Sequence, residues 1–131
     1  MRRKRRLTVG EQKKILVADD DEAFLRLVDN DLTKEGYVVI KAQKGRDVIS
    51  LAISRAPDLI ILDINLPDIS GGAAGEMLKG DPRTRDIPVI FLTGLLTKEE
   101  EESRGHMIGG RYFFAKPYNL QAFLEEIQRH L

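Results

Sequence analysis

Leu59-Ile60-Ile61-Leu62-Asp63 is the stretch on which the fold turns. Four apolar residues follow one another without a polar alternate, the pattern of a central strand covered on both faces, and the run stops on a carboxylate. A strand buried on both sides needs helices above and below the sheet, and the neighbouring segments have the lengths to supply them. Upstream, Ile15 to Ala18 reads as a buried strand followed by a helix over about 21 to 35, with Phe24, Leu27, Val28 and Leu32 on one face. Gly36 ends that helix, Tyr37 to Ile40 makes a second strand, and a helix over about 45 to 55 carries Val48, Ile49, Ala52 and Ile53 before Pro57 stops it.

Downstream of Asp63 the pattern repeats. A helix over roughly 72 to 80 is expected to be the weakest, because Gly71, Gly72, Gly75 and Gly80 each cost about 1 kcal/mol relative to Ala inside a helix. Pro88 to Leu92 gives a fourth strand ending at Thr93-Gly94, and Thr97 to Glu100 has the spacing of a capping box that opens another helix. Tyr112 to Ala115 forms a fifth strand. Asn119 caps a last helix with Leu120, Phe123, Leu124, Ile127 and Leu131 as its apolar stripe. Five strand–helix pairs in this order predict an α/β domain with a parallel five-stranded sheet between two helical layers.

Composition agrees with one globular domain. The chain has 131 residues, of which 42% are hydrophobic and 32% charged, and burial of about two-thirds of its surface suffices for a core. The absence of cysteine excludes disulfides, thiolate metal sites and thiol catalysis together. No apolar run approaches the roughly 20 residues needed to cross a bilayer, and no apolar segment follows the basic N-terminus, so the expectation is a cytoplasmic protein without membrane contact. The net charge of zero hides an asymmetry. Seven of the 21 basic residues fall in residues 1–14 beside one Glu, leaving an acidic body. The run Arg2 to Arg6 is read as a solvated, flexible end in a tail over residues 1–13, with nucleic acid an unlikely partner, and residues 14–131 as the domain.

In an open parallel sheet, ligands bind outside the carboxyl ends of the strands where the strand order reverses. The first strand here ends in Asp19-Asp20, the third in Asp63, the fourth in Thr93-Gly94 and the fifth in Lys116-Pro117. With the order 2-1-3-4-5 these four ends converge on one edge. Two carboxylates about 4 Å apart repel by roughly 4 kcal/mol at an effective dielectric of 20, so three of them call for a cation. Hard oxygen donors without sulfur or histidine favour Mg²⁺, or Mn²⁺, with positions left for water and phosphate oxygens. A carboxylate can then serve as nucleophile, and Asp63, closing the most buried strand, is the choice. Lys116 supplies positive charge, Thr93 a hydroxyl, and Gly94 room and a backbone N–H for phosphoryl oxygens.

The segments ILVADDDE at 15–22, LIILDINLPDISG at 59–71, IPVIFLTG at 87–94 and FFAKPYNL at 113–120 resemble the receiver domain of two-component response regulators, and are similar to the single-domain chemotaxis type. The resemblance covers residues 14–131. It implies a flavodoxin-like (βα)₅ fold of order 2-1-3-4-5, with Asp63 as phosphoacceptor, Asp20 as a direct magnesium ligand, Asp19 as a ligand acting largely through water, and Asn65 as a ligand through its backbone carbonyl. Thr93 and Lys116 fall on the two positions that bind phosphoryl oxygens. The implied donor is a phosphohistidine on a sensor histidine kinase or histidine phosphotransfer protein, and output passes to an unknown downstream protein. The implied catalysis is limited to the domain's own phosphorylation and dephosphorylation.

Three positions depart from the family pattern or leave it open. The family's switch aromatic falls at Phe113, which has no hydroxyl to lock an inward state and also reads as a plain core residue. Small residues over Gly71 to Gly75 replace larger ones, and Glu99 to Glu102 make the fourth helix acidic. A metal-dependent phosphohydrolase of the haloacid-dehalogenase kind is the competing enzyme reading, but its second acid would stand where this chain has Asn65. An unphosphorylated scaffold or DNA-associated factor is the other alternative; it would use the basic tail and no helix-turn-helix pattern accompanies it.

Overall fold

The computed structural model describes residues 12–94, 107–108 and 111–131. The elements are β1 (Lys14–Ala18), α1 (Glu22–Lys34), β2 (Val38–Ala42), α2 (Gly45–Arg55), β3 (Leu59–Asp63), α3 (Gly71–Gly80), β4 (Val89–Thr93), β5 (Met107–Ile108), β6 (Arg111–Ala115) and α4 (Leu120–Arg129). Five parallel strands lie in the order β2-β1-β3-β4-β6, which is the expected 2-1-3-4-5 order of the flavodoxin-like fold. A two-residue strand, β5, adds an antiparallel rung outside β6 that the sequence does not announce. The stretches Arg2 to Arg6 and Thr97 to Glu102, with the acidic helix expected there, lie outside the described residues.

The unbroken apolar runs are explained by the side-chain period of a strand, since alternate residues feed two separate cores. Ile15, Val17, Leu59, Ile61, Ile90, Leu92 and Phe114 pack with α1 and α4, through Leu25, Val28, Leu32, Phe123 and Ile127. Leu16, Ala18, Ile60, Leu62 and Phe91 pack with α2 and α3, through Val48, Ala52, Ala74 and Leu78. Both faces of β3 are therefore filled, and all five of its residues are buried.

Several helix expectations need correction. On α1 the buried stripe is Leu25, Val28 and Leu32, spaced three and four residues apart, and Leu27 is 51% exposed because it lies to one side of that stripe. On α4, Phe123 and Ile127 are buried whereas Leu120 and Leu131 are exposed at the helix ends. Glu126, on the same helix, is 2% exposed, with Arg129 at 3.2 Å and His130 at 3.4 Å from its carboxylate oxygens.

The glycine-rich α3 is a regular ten-residue helix, not a doubtful one. Ser70 caps it, accepting from the Ala73 N–H at 3.0 Å. Its glycines allow close approach to the sheet: a Cβ on Gly71 would run into the Asp63 carbonyl oxygen, and one on Gly75 would stand 3.0 Å from the Phe91 ring. Packing that a larger residue would forbid offsets the intrinsic helix cost.

The start of α2 is held from a distance. Lys44 offers no side-chain cap, and Asp68 instead accepts the N–H groups of Gly45 at 2.7 Å and Arg46 at 3.0 Å. Slight burial raises the Asp68 carboxyl, but backbone N–H groups of Arg46, Ile69 and Gly45 outweigh it and hold the group at about 2, below its ordinary 3.8. A depressed folded value means the contribution is fully present above pH 3.8 and is lost as pH falls through about 2. Asp68→Ala is expected to lower the melting temperature at neutral pH, and the gap to wild type should narrow in that acid window. A gap independent of pH would contradict the cap.

Candidate functional site at the carboxyl edge of the sheet

The ends of β1, β3, β4 and β6 meet where the strand order reverses, the chain passing from β1 to β2 on one side and from β2 back to β3 on the other. The three acids of Asp19-Asp20-Asp21 take different roles. Asp19 continues the strand, its N–H donating to the Ala42 carbonyl at 3.0 Å, and its side chain is 1% exposed. Asp20 is exposed at the rim. Asp21 caps α1, accepting from the Ala23 N–H at 2.9 Å and the Phe24 N–H at 3.3 Å. Asp63 ends β3, and the loop after it is closed by the Gly71 N–H donating to the Ile64 carbonyl at 2.8 Å.

Oxygen atoms of Asp19, Asp20 and Asp63 all lie within 4.8 Å of one another. Lys116, on the loop after β6, reaches into this group. Its Nζ is 2.5 Å from Asp19 Oδ2 and 3.1 Å from Asp63 Oδ2. Each buried acid also accepts one backbone N–H, Asp19 Oδ1 from Asp21 at 3.0 Å and Asp63 Oδ1 from Asn65 at 3.2 Å. Asp19 Oδ2, wholly buried, is held by the ammonium as an ion pair without a directed hydrogen bond. Burial pushes the Asp19 carboxyl above its ordinary 3.8, outweighing the Lys116 ammonium and the Asp21 N–H that pull it down. Burial works against the Lys116 charge too, but Asp19 and Asp63 together outweigh it and raise that ammonium above 10.5, so it stays charged at neutral pH.

Thr93 closes β4 beside Ala115 and is 3% exposed; its carbonyl accepts the Lys116 N–H at 3.0 Å, which ties the fourth strand end to the lysine loop. Gly94 stands beside open space, with nothing within 4 Å of where a Cβ would be. Asn65 is exposed next to Asp63 and turns its N–H to that carboxylate. Phe113 is half-buried on the α2–α3 face, stacked on Phe91 with ring centroids 5.3 Å apart at 25°. The structure thus gathers Asp19, Asp20, Asp63 and Lys116 in direct reach, links Thr93 to them through the backbone, and places Phe113 in the adjoining core. Sequence reasoning missed Phe24 as a neighbour of the site. Its ring lies 4.4 Å from Lys116 Nζ, a contact between residues 92 positions apart that no local pattern signals.

The donor set suits a hard divalent cation. Among the described residues, three carboxylates with no nitrogen or sulfur ligand beside them are balanced by the Lys116 ammonium, and a buried carboxylate oxygen lacking a directed hydrogen bond is well served by a metal or its water.

A doubly wound α/β domain with acids and an ammonium at its topological switch point has a charged, hard-donor site where folds of this class bind their ligands. Comparison with known proteins narrows this. Residues 15–128 match the response regulator receiver domain family. The chain is 34% identical over 119 residues to the polar-differentiation response regulator DivK of Brucella anthropi, spanning 91% of this chain and 96% of that one. Among solved structures it is similar to the chemotaxis protein CheY4 of Vibrio cholerae, with a TM-score of 0.77, 28% identity and coverage of 92% and 99%. It is also similar to the non-phosphorylated HemR receiver domain of Leptospira biflexa, with a TM-score of 0.72, 31% identity and coverage of 91% and 94%.

The chain belongs to the receiver-domain family of response regulators, the regulatory modules of two-component signal transduction. Receiver domains bind Mg²⁺ at an acidic pocket and interact with histidine kinases and downstream effectors; in this chain Asp19, Asp20 and Asp63 form an acidic cluster at the carboxyl edge of the sheet. Among the described residues no helix is long and apolar enough to cross a membrane.

Proposed function

We propose that Asp63 accepts a phosphoryl group from a phosphohistidine, carried by a sensor kinase or a histidine phosphotransfer protein, and that the modified domain then binds a downstream protein differently. The observation that carries this reading is the Lys116 ammonium set 3.1 Å from Asp63 Oδ2 inside a cluster of three acids. An Asp63 carboxylate oxygen attacks phosphorus, the new P–O bond forms as the P–N bond breaks, and the departing imidazole nitrogen keeps the electron pair. Lys116 faces the same oxygen and offsets charge that gathers on the phosphoryl group. The Thr93 hydroxyl and the Gly94 N–H serve its other oxygens.

Asp20 directly, Asp19 largely through water, Asp63 and the Asn65 carbonyl are the groups that would hold Mg²⁺, with Mn²⁺ an acceptable substitute. When bound, the ion supplies charge neutralisation for the carboxylates and the phosphoryl oxygens. Beyond this self-modification, and the slow attack of water that returns the carboxylate and inorganic phosphate, the domain turns over no external substrate. Phe113 acts as the moving aromatic, gaining from burial without a phenolic hydrogen bond. Residues 1–13 are a basic tail appended to the domain at 14–131, the protein works in the cytoplasm, and output goes through a protein partner instead of nucleic acid or membrane.

Incubation with acetyl phosphate and Mg²⁺, followed by intact-mass measurement, is expected to add a single phosphoryl group, and chelation of the metal should prevent it. Multiple turnover of phosphate esters would instead favour a phosphohydrolase, and an unchanged mass with metal present would contradict the reading.

A further inference from the structure

We propose that Phe24 is a positioning residue for Lys116, its ring face holding the ammonium at the acidic cluster while the charges around it change. The inference rests on the phosphoacceptor reading of Asp63 for its consequence, but not for its geometry.

Around Lys116 Nζ stand Asp19 Oδ2 at 2.5 Å, Asp63 Oδ2 at 3.1 Å and the centroid of the Phe24 ring at 4.4 Å. The negative face of an aromatic ring attracts a cation at this distance, more strongly when water is excluded, and the lysine side chain is only 21% exposed. A third carboxylate in that place would compete with the phosphoryl group for the ammonium. A ring attracts the charge without being an anionic ligand, so it restrains a side chain with four rotatable bonds and leaves its N–H donors for oxygen.

The ring is itself fixed. Phe24 lies in the first turn of α1 with its N–H bonded to the Asp21 cap at 3.3 Å, so the cap that follows Asp19 and Asp20 in the chain also sets the ring. Tyr118 meets it edge-on, with centroids 6.1 Å apart at 83°, and Tyr118 in turn packs on the fully buried Phe123 at 4.4 Å. The Tyr118 hydroxyl donates to Asp31 at 2.5 Å, pinning the loop that bears Lys116 to the same face of α1, two turns beyond Phe24. Three rings from α1, the lysine loop and α4 thus form a brace whose outer face touches the ammonium.

The test uses the full chain with Mg²⁺ and acetyl phosphate, with the labelling rate read by intact mass. Phe24→Leu, which keeps apolar volume and loses the ring, is expected to slow labelling about three- to tenfold, and Phe24→Tyr to restore it. Site-specific replacement of Phe24 by mono-, di- and trifluorophenylalanine keeps the shape and should lower the rate in steps. Independently of any phosphodonor, the ε-methylene protons of Lys116 should show an upfield ring-current shift in the wild type that disappears in Phe24→Leu. Equal rates across the fluorinated series, or an unshifted Lys116, overturn the role of Phe24. A wild type that shows the ring-current shift but takes no label overturns the phosphoacceptor reading and leaves the placement of Lys116 standing.

Discussion

Asp63→Asn is expected to abolish labelling by acetyl phosphate while leaving the chain folded. The amide has the size of the carboxylate, and its oxygen can still accept the Asn65 N–H that Asp63 Oδ1 accepts at 3.2 Å. What disappears is the anion proposed as nucleophile, together with one member of a cluster whose oxygens lie within 4.8 Å of one another. Two carboxylates at 4 Å repel by about 4 kcal/mol at an effective dielectric of 20, a repulsion that Lys116 only partly offsets in the wild type. Removal of one charge should leave the melting temperature in metal-free buffer unchanged or raised, and should shrink the further rise caused by Mg²⁺. Intact mass and thermal melts with and without Mg²⁺ check both parts. Labelling that survives the substitution would remove Asp63 from its role, and unfolding in metal-free buffer would contradict the charge account.

Gly71→Ala is expected to be far more damaging than one added methyl group suggests. The new Cβ would overlap the Asp63 carbonyl oxygen and stand 2.9 Å from the Ile64 Cα, so the obstacle is backbone and cannot turn aside. Helix α3 would have to retreat from β3, stretching the 2.8 Å bond from the Gly71 N–H to the Ile64 carbonyl that closes the loop after Asp63. Overpacking of this kind costs about 1 to 3 kcal/mol, and the upper end is expected where backbone meets backbone. Gly72→Ala is the control. Its Cβ would meet only the Arg111 guanidinium and the Ser70 hydroxyl, each at 3.9 Å, so relief of the glycine's helix cost should leave stability unchanged or raise it by up to about 1 kcal/mol. Denaturant unfolding of the pair should move the two midpoints in opposite directions, or at least only the first. Equal effects would mean that α3 does not press on the sheet as closely as described.

The two glycines also show where the sequence could be read and where it could not. Strands β1, β3 and β4 were legible because two buried faces require unbroken apolar runs, and the strand order was implied by the resemblance to receiver domains. The strength of α3 was not legible. Its glycines look like defects when only the helix is considered, and become fitting once the Asp63 carbonyl and the Phe91 ring lie against them. The same limit hid the Asp68 cap, made across 23 residues of chain, and the burial of Glu126, which depends on Arg129 and His130 being folded around it. Leu27 misled for a geometric reason, since an apolar residue next to the stripe counts toward a face in the sequence but projects away from the core on the helix.

The site divided along the same line. Asp19, Asp20, Asp63 and Lys116 could be named because each stands at a strand end, and topology brings strand ends together. Their mutual distances and the ring of Phe24 against the lysine arise from contacts between elements far apart in the chain, whereas the Asp21 cap is local, made to N–H groups two and three residues on.

Borohydride reduction of the labelled protein, followed by digestion and fragment sequencing by mass spectrometry, converts an aspartyl phosphate to homoserine and marks its position. The account predicts homoserine at residue 63 alone, in samples labelled with Mg²⁺ present. Homoserine at Asp19 or Asp20, or at any other acid with residue 63 unreduced, would contradict it.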